Sequence, residues 1–199
     1  MSAPQHHSMD SFDFFADRNA EVIATYEAKK NAPTSPRRPL KESYHVGGNL
    51  YAGEYPGAIN SEIAKKKIRQ MTEFGIRHFV DLTEEGELLP YAHLLPDGCT
   101  HRRFPIRDRH APSSMTEVDR LLDYIRQLLD RNDGYVYLHC WGGVGRTGTI
   151  VACYLADGTY ASTMQQVRQR FAQMPKSARR EVPDHRVQDE FIRAYLARQ

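Results

Sequence analysis

Apolar residues follow two rhythms along this chain. At helical intervals stand Phe12, Phe15, Val22, Ile23 and Tyr26 between Ser11 and Lys30, and Ile63, Ile68, Met71 and Phe74 between Ser61 and Phe74, where Gly75 marks a stop. A third set, Val118, Leu121, Leu122, Ile125, Leu128 and Leu129, builds a helix over Met115–Arg131 that Asn132-Asp133-Gly134 closes. Between these lie short apolar runs too brief for helices. Ile76–Leu82, Cys99–Ile106 and Tyr135–His139 read as strands, and Tyr44–Val46 and Asn49–Ala52 as extended pieces ending at the turn Tyr55-Pro56-Gly57. Thr147–Ala156 is apolar all round, as a buried helix would be, and Ser162–Met174 and Pro183–Arg198 add two more helices. This alternation predicts an α/β fold: a central mixed, mostly parallel sheet flanked by helices on both faces. Ligands of such sheets bind at the carboxyl ends of the strands, which draws attention to the Leu138–Arg146 junction.

The 199 residues suit one domain with an attachment better than two, at about 150 residues per domain. Residues 1–8 read as disordered, 9–31 as a helix and 32–43 as a linker or arm, since APTSPRRPL carries three prolines in nine residues. Residues 44–199 form the main domain. The composition, 40% hydrophobic and 26% charged, excludes a fully disordered chain, a coiled coil and a collagen-like repeat. No run approaches the ~18 apolar residues of a membrane span, and the first residues lack the pattern of a signal peptide. Three cysteines are too few and too odd in number for a disulfide framework. A soluble, cytoplasmic protein is expected.

The net charge of +2 says little, but its distribution says more. Five basic residues and no acid lie between Ala28 and Lys41, and the same holds from Gly158 to Arg180. His101–His110 sets four arginines against Asp108, while acids gather at Asp81, Glu84, Glu85 and Glu87. Solvated faces account for any single cluster; together they suit an anionic substrate.

The chemistry is concentrated in His139-Cys140-Trp141-Gly142-Gly143-Val144-Gly145-Arg146-Thr147-Gly148, which follows an apolar strand and opens an apolar helix. Three glycines between Cys140 and Arg146 let the backbone curl with its amides turned inward. Those amides and a helix N-terminus form an anion cradle. Arg146 can grip two phosphate oxygens in a planar fork, as lysine cannot. An ordinary thiol is only a few per cent thiolate at neutral pH. The dipoles that hold a phosphate dianion also favour the anion of a cysteine at the base of the loop.

Cys-x5-Arg followed by Thr, between strand and helix, resembles the signature of the cysteine-dependent protein tyrosine phosphatases, and the compact form is most similar to the dual-specificity type and small bacterial members. The resemblance runs from about Tyr44 to Leu196, so that 44–199 would be the catalytic domain. Low-molecular-weight phosphatases and their arsenate reductase relatives carry the loop at the N-terminus, unlike this chain, and the rhodaneses are the other cysteine-loop alternative.

The resemblance implies an acid on a separate loop. Asp108, 32 residues before Cys140 in Phe104-Pro105-Ile106-Arg107-Asp108-Arg109-His110, fits that place, with Asp97 and Asp81 as fallbacks and a surface salt bridge as the bland reading. Asp108 would protonate the leaving oxygen while Cys140 attacks phosphorus, then serve as base for the water that hydrolyses phosphocysteine. Thr147 would help the thiolate leave, or simply cap the helix; His139 would tune Cys140 or be structural. Gln188 would position that water, and Arg109 and His110 would support the site. Trp141, Gly142, Gly143, Val144 and Gly145 would line the phosphate with Arg146. Cys153 reads as core; Cys99 is a candidate partner for oxidised Cys140.

No cofactor is implied. No metal is needed, and no Cys-x-x-Cys or His-Glu-x-x-His occurs. The expected substrate is a phosphorylated protein or peptide, phosphotyrosine first and phosphoserine or phosphothreonine after it. Family members acting on inositol phosphates often place basic residues in the loop, and positions 141–145 have none. Arg107, Arg109 and His110, and the Arg179-Arg180 pair, keep phosphoinositides, inositol phosphates and nucleotides open as alternatives. Removal of an RNA 5′ phosphate has no RNA-binding motif behind it. A non-catalytic phosphate-binding module would have lost the cysteine, the arginine or the acid, and all three are present.

Overall fold

The computed structural model describes residues 38–173 and 182–198. The expected disordered start, the helix over 9–31 and most of the arm lie outside the described residues, as do Arg179 and Arg180. The described chain enters the core at Leu40, which is buried, and Ser43 Oγ donates to the Leu40 carbonyl (2.6 Å).

Five strands form one sheet: β1 (Ser43–Gly47), β2 (Leu50–Gly53), β3 (Ile76–Asp81), β4 (Thr100–Arg103) and β5 (Tyr135–His139), in the order β1-β2-β5-β3-β4. β1 pairs antiparallel with β2, and every other pairing is parallel. The mixed, mostly parallel sheet expected from the alternation is therefore what forms. Among the described residues five α-helices accompany it: α1 (Ser61–Phe74), α2 (Met115–Arg131), α3 (Gly145–Asp157), α4 (Met164–Gln173) and α5 (Arg186–Leu196).

The helix ends carry their own signals. Asn60 accepts from the amides of Glu62 and Ile63 at the start of α1, and Gly75 ends it in the left-handed region at φ 112°. Ser114 accepts from the Glu117 amide to open α2, and Asn132 (φ 51°) closes it. Residue alternation along β5 divides the core. Val136 and Leu138 join α2–α5 in one apolar cluster; Tyr137 joins Phe79, Tyr91 and α1's Ile68 and Met71 in the other. The sheet is thus covered on both faces, and burying each such aliphatic side chain is worth about 1.5–3 kcal/mol.

Several boundaries differ from the periodicity. Ile63 points to solvent, and Ala64 takes its place on the buried face of α1. The edge strand shrinks to Thr100–Arg103, although Phe104 N and Ile106 N continue outward as donors to Asp81 O (2.8 Å) and Leu82 O (3.0 Å). α3 begins two residues early, at Gly145, because the loop before it already curls into the helix. The last helix starts at Arg186, since His185 is extended (φ −128°, ψ 140°).

Candidate active site

β5 lies between β2 and β3, and its carboxyl end delivers Cys140 to the middle of the sheet's edge. The loop that follows is pressed onto its neighbours. Gly143 adopts φ 72°, and a Cβ there would stand 2.6 Å from Gly53 Cα, so glycine is required twice over. Tyr55 N donates to Trp141 O (2.9 Å), and Tyr44 Oη to Gly143 O (3.3 Å). No side chain caps the N-terminus of α3, which leaves its first-turn amides to the loop's concave side.

A pocket of about 290 Å³ opens over this loop. Cys140 and Arg146 line it while being only 3% and 2% exposed; Trp141, Gly142, Val144 and Gly145 line it too, with Trp141 65% exposed. Gly143, expected among these, is buried beneath them against Gly53. Across the pocket stand Asp108 and Arg109 from the loop after β4, and Asp184, His185 and Gln188 from the start of α5. Three stretches separated by more than thirty residues thus converge on one thiol.

Arg146 is held by a residue that pattern reading overlooked. Its Nη1 and Nη2 each donate to one Glu87 oxygen at 2.7 Å, a two-pronged ion pair, and Nη1 also donates to Ile106 O (3.0 Å). Burial pushes the Glu87 carboxyl up, but the Arg146 bonds and the Glu84 amide outweigh it and hold the group below its usual range. Arg146 Nη2 also meets Asp108 Oδ1 at 3.1 Å. Of the three candidate acids, Asp108 alone lines the pocket. Asp97 is exposed before the amino end of β4, and Asp81 is locked by Thr83, His101 and Arg103.

His139 is fully buried. Its Nδ1 lies 3.3 Å from the Cys140 carbonyl and its Nε2 2.6 Å from Tyr91 Oη. A carbonyl only accepts, so Nδ1 carries the proton and Nε2 accepts from tyrosine. Burial drives the imidazole down to about 4, against the opposing pull of Asp81, so the ring is neutral at pH 7. Gln188, also fully buried, donates from Nε2 to the His110 carbonyl (3.1 Å), while its Oε1 makes no hydrogen bond among the described residues. His110 Nδ1 is 2.8 Å from Asp108 O, which folds the acid loop back on itself. Arg109 sits in the left-handed region (φ 62°), 3.8 Å from Asp108. The Thr147 hydroxyl is buried and bonded to no described group, so it does not cap α3.

The remaining cysteines stand apart. Cys99 precedes Thr100, which is level with His78 and Val136, whereas Cys140 follows the other end of β5. Along the strands that is on the order of 15 Å, too far for a disulfide. Cys153 is buried in α3, and burial pushes its thiol well up.

Sequence signals for the missed residues were weak. Glu87 belongs to an acidic loop with no periodicity, and Asp184 and His185 sit in a stretch noticed only for Gln188. Among the described residues, no group of three or more His, Cys, Asp or Glu side chains could hold a metal ion, and no helix is long and apolar enough to cross a membrane.

The model of a family described as "Polymorphic toxin system, DSP-PTPase phosphatase" matches residues 54–159, more than half of the chain. The chain belongs to this family. The match spans the loop from Cys140 to Arg146 and the loop that carries Asp108 alike. Protein 067L of Invertebrate iridescent virus 3, provisionally named a tyrosine phosphatase, is 31% identical over 118 residues, 57% of this chain and 45% of the viral protein. A phosphatidylinositol 3,4,5-trisphosphate 3-phosphatase of Dictyostelium discoideum, cnrN, is 31% identical over 70 residues, 35% of this chain and 11% of that protein. The chain therefore spans less than half the length of either relative. A solved structure of kinase associated phosphatase superposes with a TM-score of 0.63 at 18% identity, covering 83% of this chain and 99% of that one, and so shows the shared DSP-PTPase fold.

Proposed function

We propose that this DSP-PTPase chain hydrolyses phosphomonoesters through a cysteinyl-phosphate intermediate and that its substrates are phosphoproteins, phosphotyrosine foremost. The observation that carries the reading is the convergence of Cys140, Arg146 and Asp108 on one pocket whose floor is a curled loop of amides. A phosphate dianion enters that loop, and its oxygens take the amides and the Arg146 guanidinium. Arg146 keeps its two bonds to Glu87, so the phosphate displaces only Asp108 from Nη2. The displaced carboxyl is then placed over the leaving oxygen.

Cys140 Sγ attacks phosphorus, the P–O bond breaks, and protonated Asp108 gives its proton to the departing oxygen. Water then attacks the phosphocysteine, loses its proton to Asp108, and the S–P bond breaks to regenerate the thiolate and release phosphate. Gln188, with an unbonded Oε1 beside Gly145, orients that water. Thr147 donates its unpaired hydroxyl toward the sulfur as the S–P bond breaks. His139 is a positioning residue: its bond to the Cys140 carbonyl fixes the start of the loop.

The second reading, a phosphoinositide or other polyanion phosphatase, is favoured by Arg109, exposed at the pocket's edge. Cytoplasmic action belongs to the same proposal. The test is phosphate release from phosphotyrosine and phosphothreonine peptides, phosphoinositides, inositol polyphosphates and 5′-triphosphorylated RNA, with Cys140→Ser as control. Peptide turnover falling by about 10⁴-fold or more in the control is expected. Activity confined to inositides or RNA would keep the mechanism and overturn the substrate.

A further inference from the structure

Trp141 borders two cavities. One is the phosphate pocket; the other, about 240 Å³, is walled by Tyr55, Ala58, Ile59, Leu88, Leu89 and the same indole. Among the described residues six large apolar side chains are exposed, and three of them, Ile59 (94% exposed), Leu89 and Trp141, surround this one concavity. Single exposed apolar residues are ordinary, but three grouped at the mouth of a reactive pocket mark a contact surface. The walls are tied together. Tyr55 donates its amide to Trp141 O (2.9 Å) and its hydroxyl to Leu89 O.

The charged side chains of the cavity neutralise one another. Lys67 Nζ donates to Glu54 Oε2 (2.9 Å) and to Tyr55 O (2.6 Å). An apolar occupant therefore leaves no charge unpaired. A flat anionic membrane would prefer projecting apolar groups ringed by unpaired cations; here the groups enclose a hollow and the lysine is engaged.

We propose that this cavity is a specificity subsite that receives a bulky apolar side chain two positions from the phosphorylated residue of a protein substrate. It rests on the phosphoprotein reading above and names what that substrate carries. With the phosphorylated side chain pointing down onto Cys140, the residue two positions along an extended peptide turns its side chain the same way, about 6.4–6.8 Å further on, beside the pocket mouth. Trp141 then divides the two side chains and packs against both. The cavity wall is also continuous with the arginine clamp, because Leu88 and Leu89 directly follow Glu87.

The test pairs 4-nitrophenyl phosphate, which has no neighbouring residue, with phosphotyrosine peptides identical but for Leu or Ser two positions from the phosphotyrosine, on either side. The full chain is compared with Ile59→Ser and Leu89→Ser; Ile59 is so exposed that its replacement leaves the fold intact. The Leu peptides should have kcat/KM about tenfold above the Ser peptides, a ratio ordinary for an apolar pocket. That ratio should fall to within about twofold in each variant, with 4-nitrophenyl phosphate turnover unchanged. Equal rates on both peptides in the unmodified chain, or a preference that survives both substitutions, would overturn the subsite while leaving the phosphatase reading intact. Flat peptide rates together with phosphoinositide-vesicle turnover that drops in Ile59→Ser would make this a membrane face instead. Absence of 4-nitrophenyl phosphate turnover in the unmodified chain would sink the phosphatase reading, and the subsite with it.

Discussion

The cysteine loop and the acid loop face each other across one pocket and are built on opposite principles. Cys140, Arg146 and Thr147 are all buried, set between the central strand and an apolar helix, and the loop backbone is fastened to Gly53, Tyr44 and Tyr55. Asp108 is 56% exposed, and its loop is shaped mainly by a bond of His110 to Asp108 O and one from Gln188 to His110 O. The anion cradle must not move, because amides stabilise developing charge only when they already point at it. In the proposed mechanism Asp108 must move, since the Arg146 contact it occupies is where phosphate would bind. The buried side is fixed by the core, and the exposed side is where the proposed mechanism places its movement.

Three measurements sharpen this contrast, the largest effect first. Acid should unravel the buried side. His139 holds no proton in the folded chain until about pH 4, whereas the unfolded chain binds one near 6.5. Acidification through that interval therefore favours the unfolded state: stability is complete above about 6.5 and lost as pH falls toward 4. The loss should approach about 3 kcal/mol, read from urea midpoints at pH 7 and 4.5. Unchanged midpoints would mean that the ring is protonated in place.

On the exposed side, Asp108→Ala should leave those midpoints alone and strike catalysis selectively. Turnover of phosphotyrosine peptides should drop by about 10²-fold, and that of activated aryl phosphates by far less. Equal losses on both would move the acid elsewhere. Smallest is Gly143→Ala, which puts a Cβ at positive φ against the Gly53 backbone. It should cost about 2 kcal/mol in thermal or urea unfolding, as strained core substitutions do, and weaken phosphate binding as the loop shifts. Undiminished stability would show the loop to be more yielding than its packing implies.

The elements were largely visible before any coordinates. Ser61–Phe74, Met115–Arg131 and Tyr135–His139 stand where periodicity and turn residues put them, because each is set by residues a few positions apart. The errors fall where a local rule meets a tertiary one. Ile63 looked like a core position, but the buried face of α1 runs along Ala64, Ile68 and Met71, leaving Ile63 outside. The distance from Cys99 to Cys140, which no local pattern gives, follows from the parallel register, which puts them at opposite ends of the sheet.

The sequence by itself determined the cradle. Strand, cysteine, glycines, arginine and helix are contiguous, and their conformations follow from side-chain size and backbone freedom at each position. Tertiary structure alone decided much of what surrounds it: Glu87 as the clamp on Arg146, Asp184 and His185 at the rim, and the apolar hollow beyond Trp141, while Asp108 and Gln188, already singled out along the chain, come to the same pocket. Glu87 and Arg146 are 59 residues apart, and nothing periodic links them. Only the crossing of β3, β4 and β5 in one sheet brings their loops to the same edge, where a buried guanidinium requires a carboxylate to offset its desolvation.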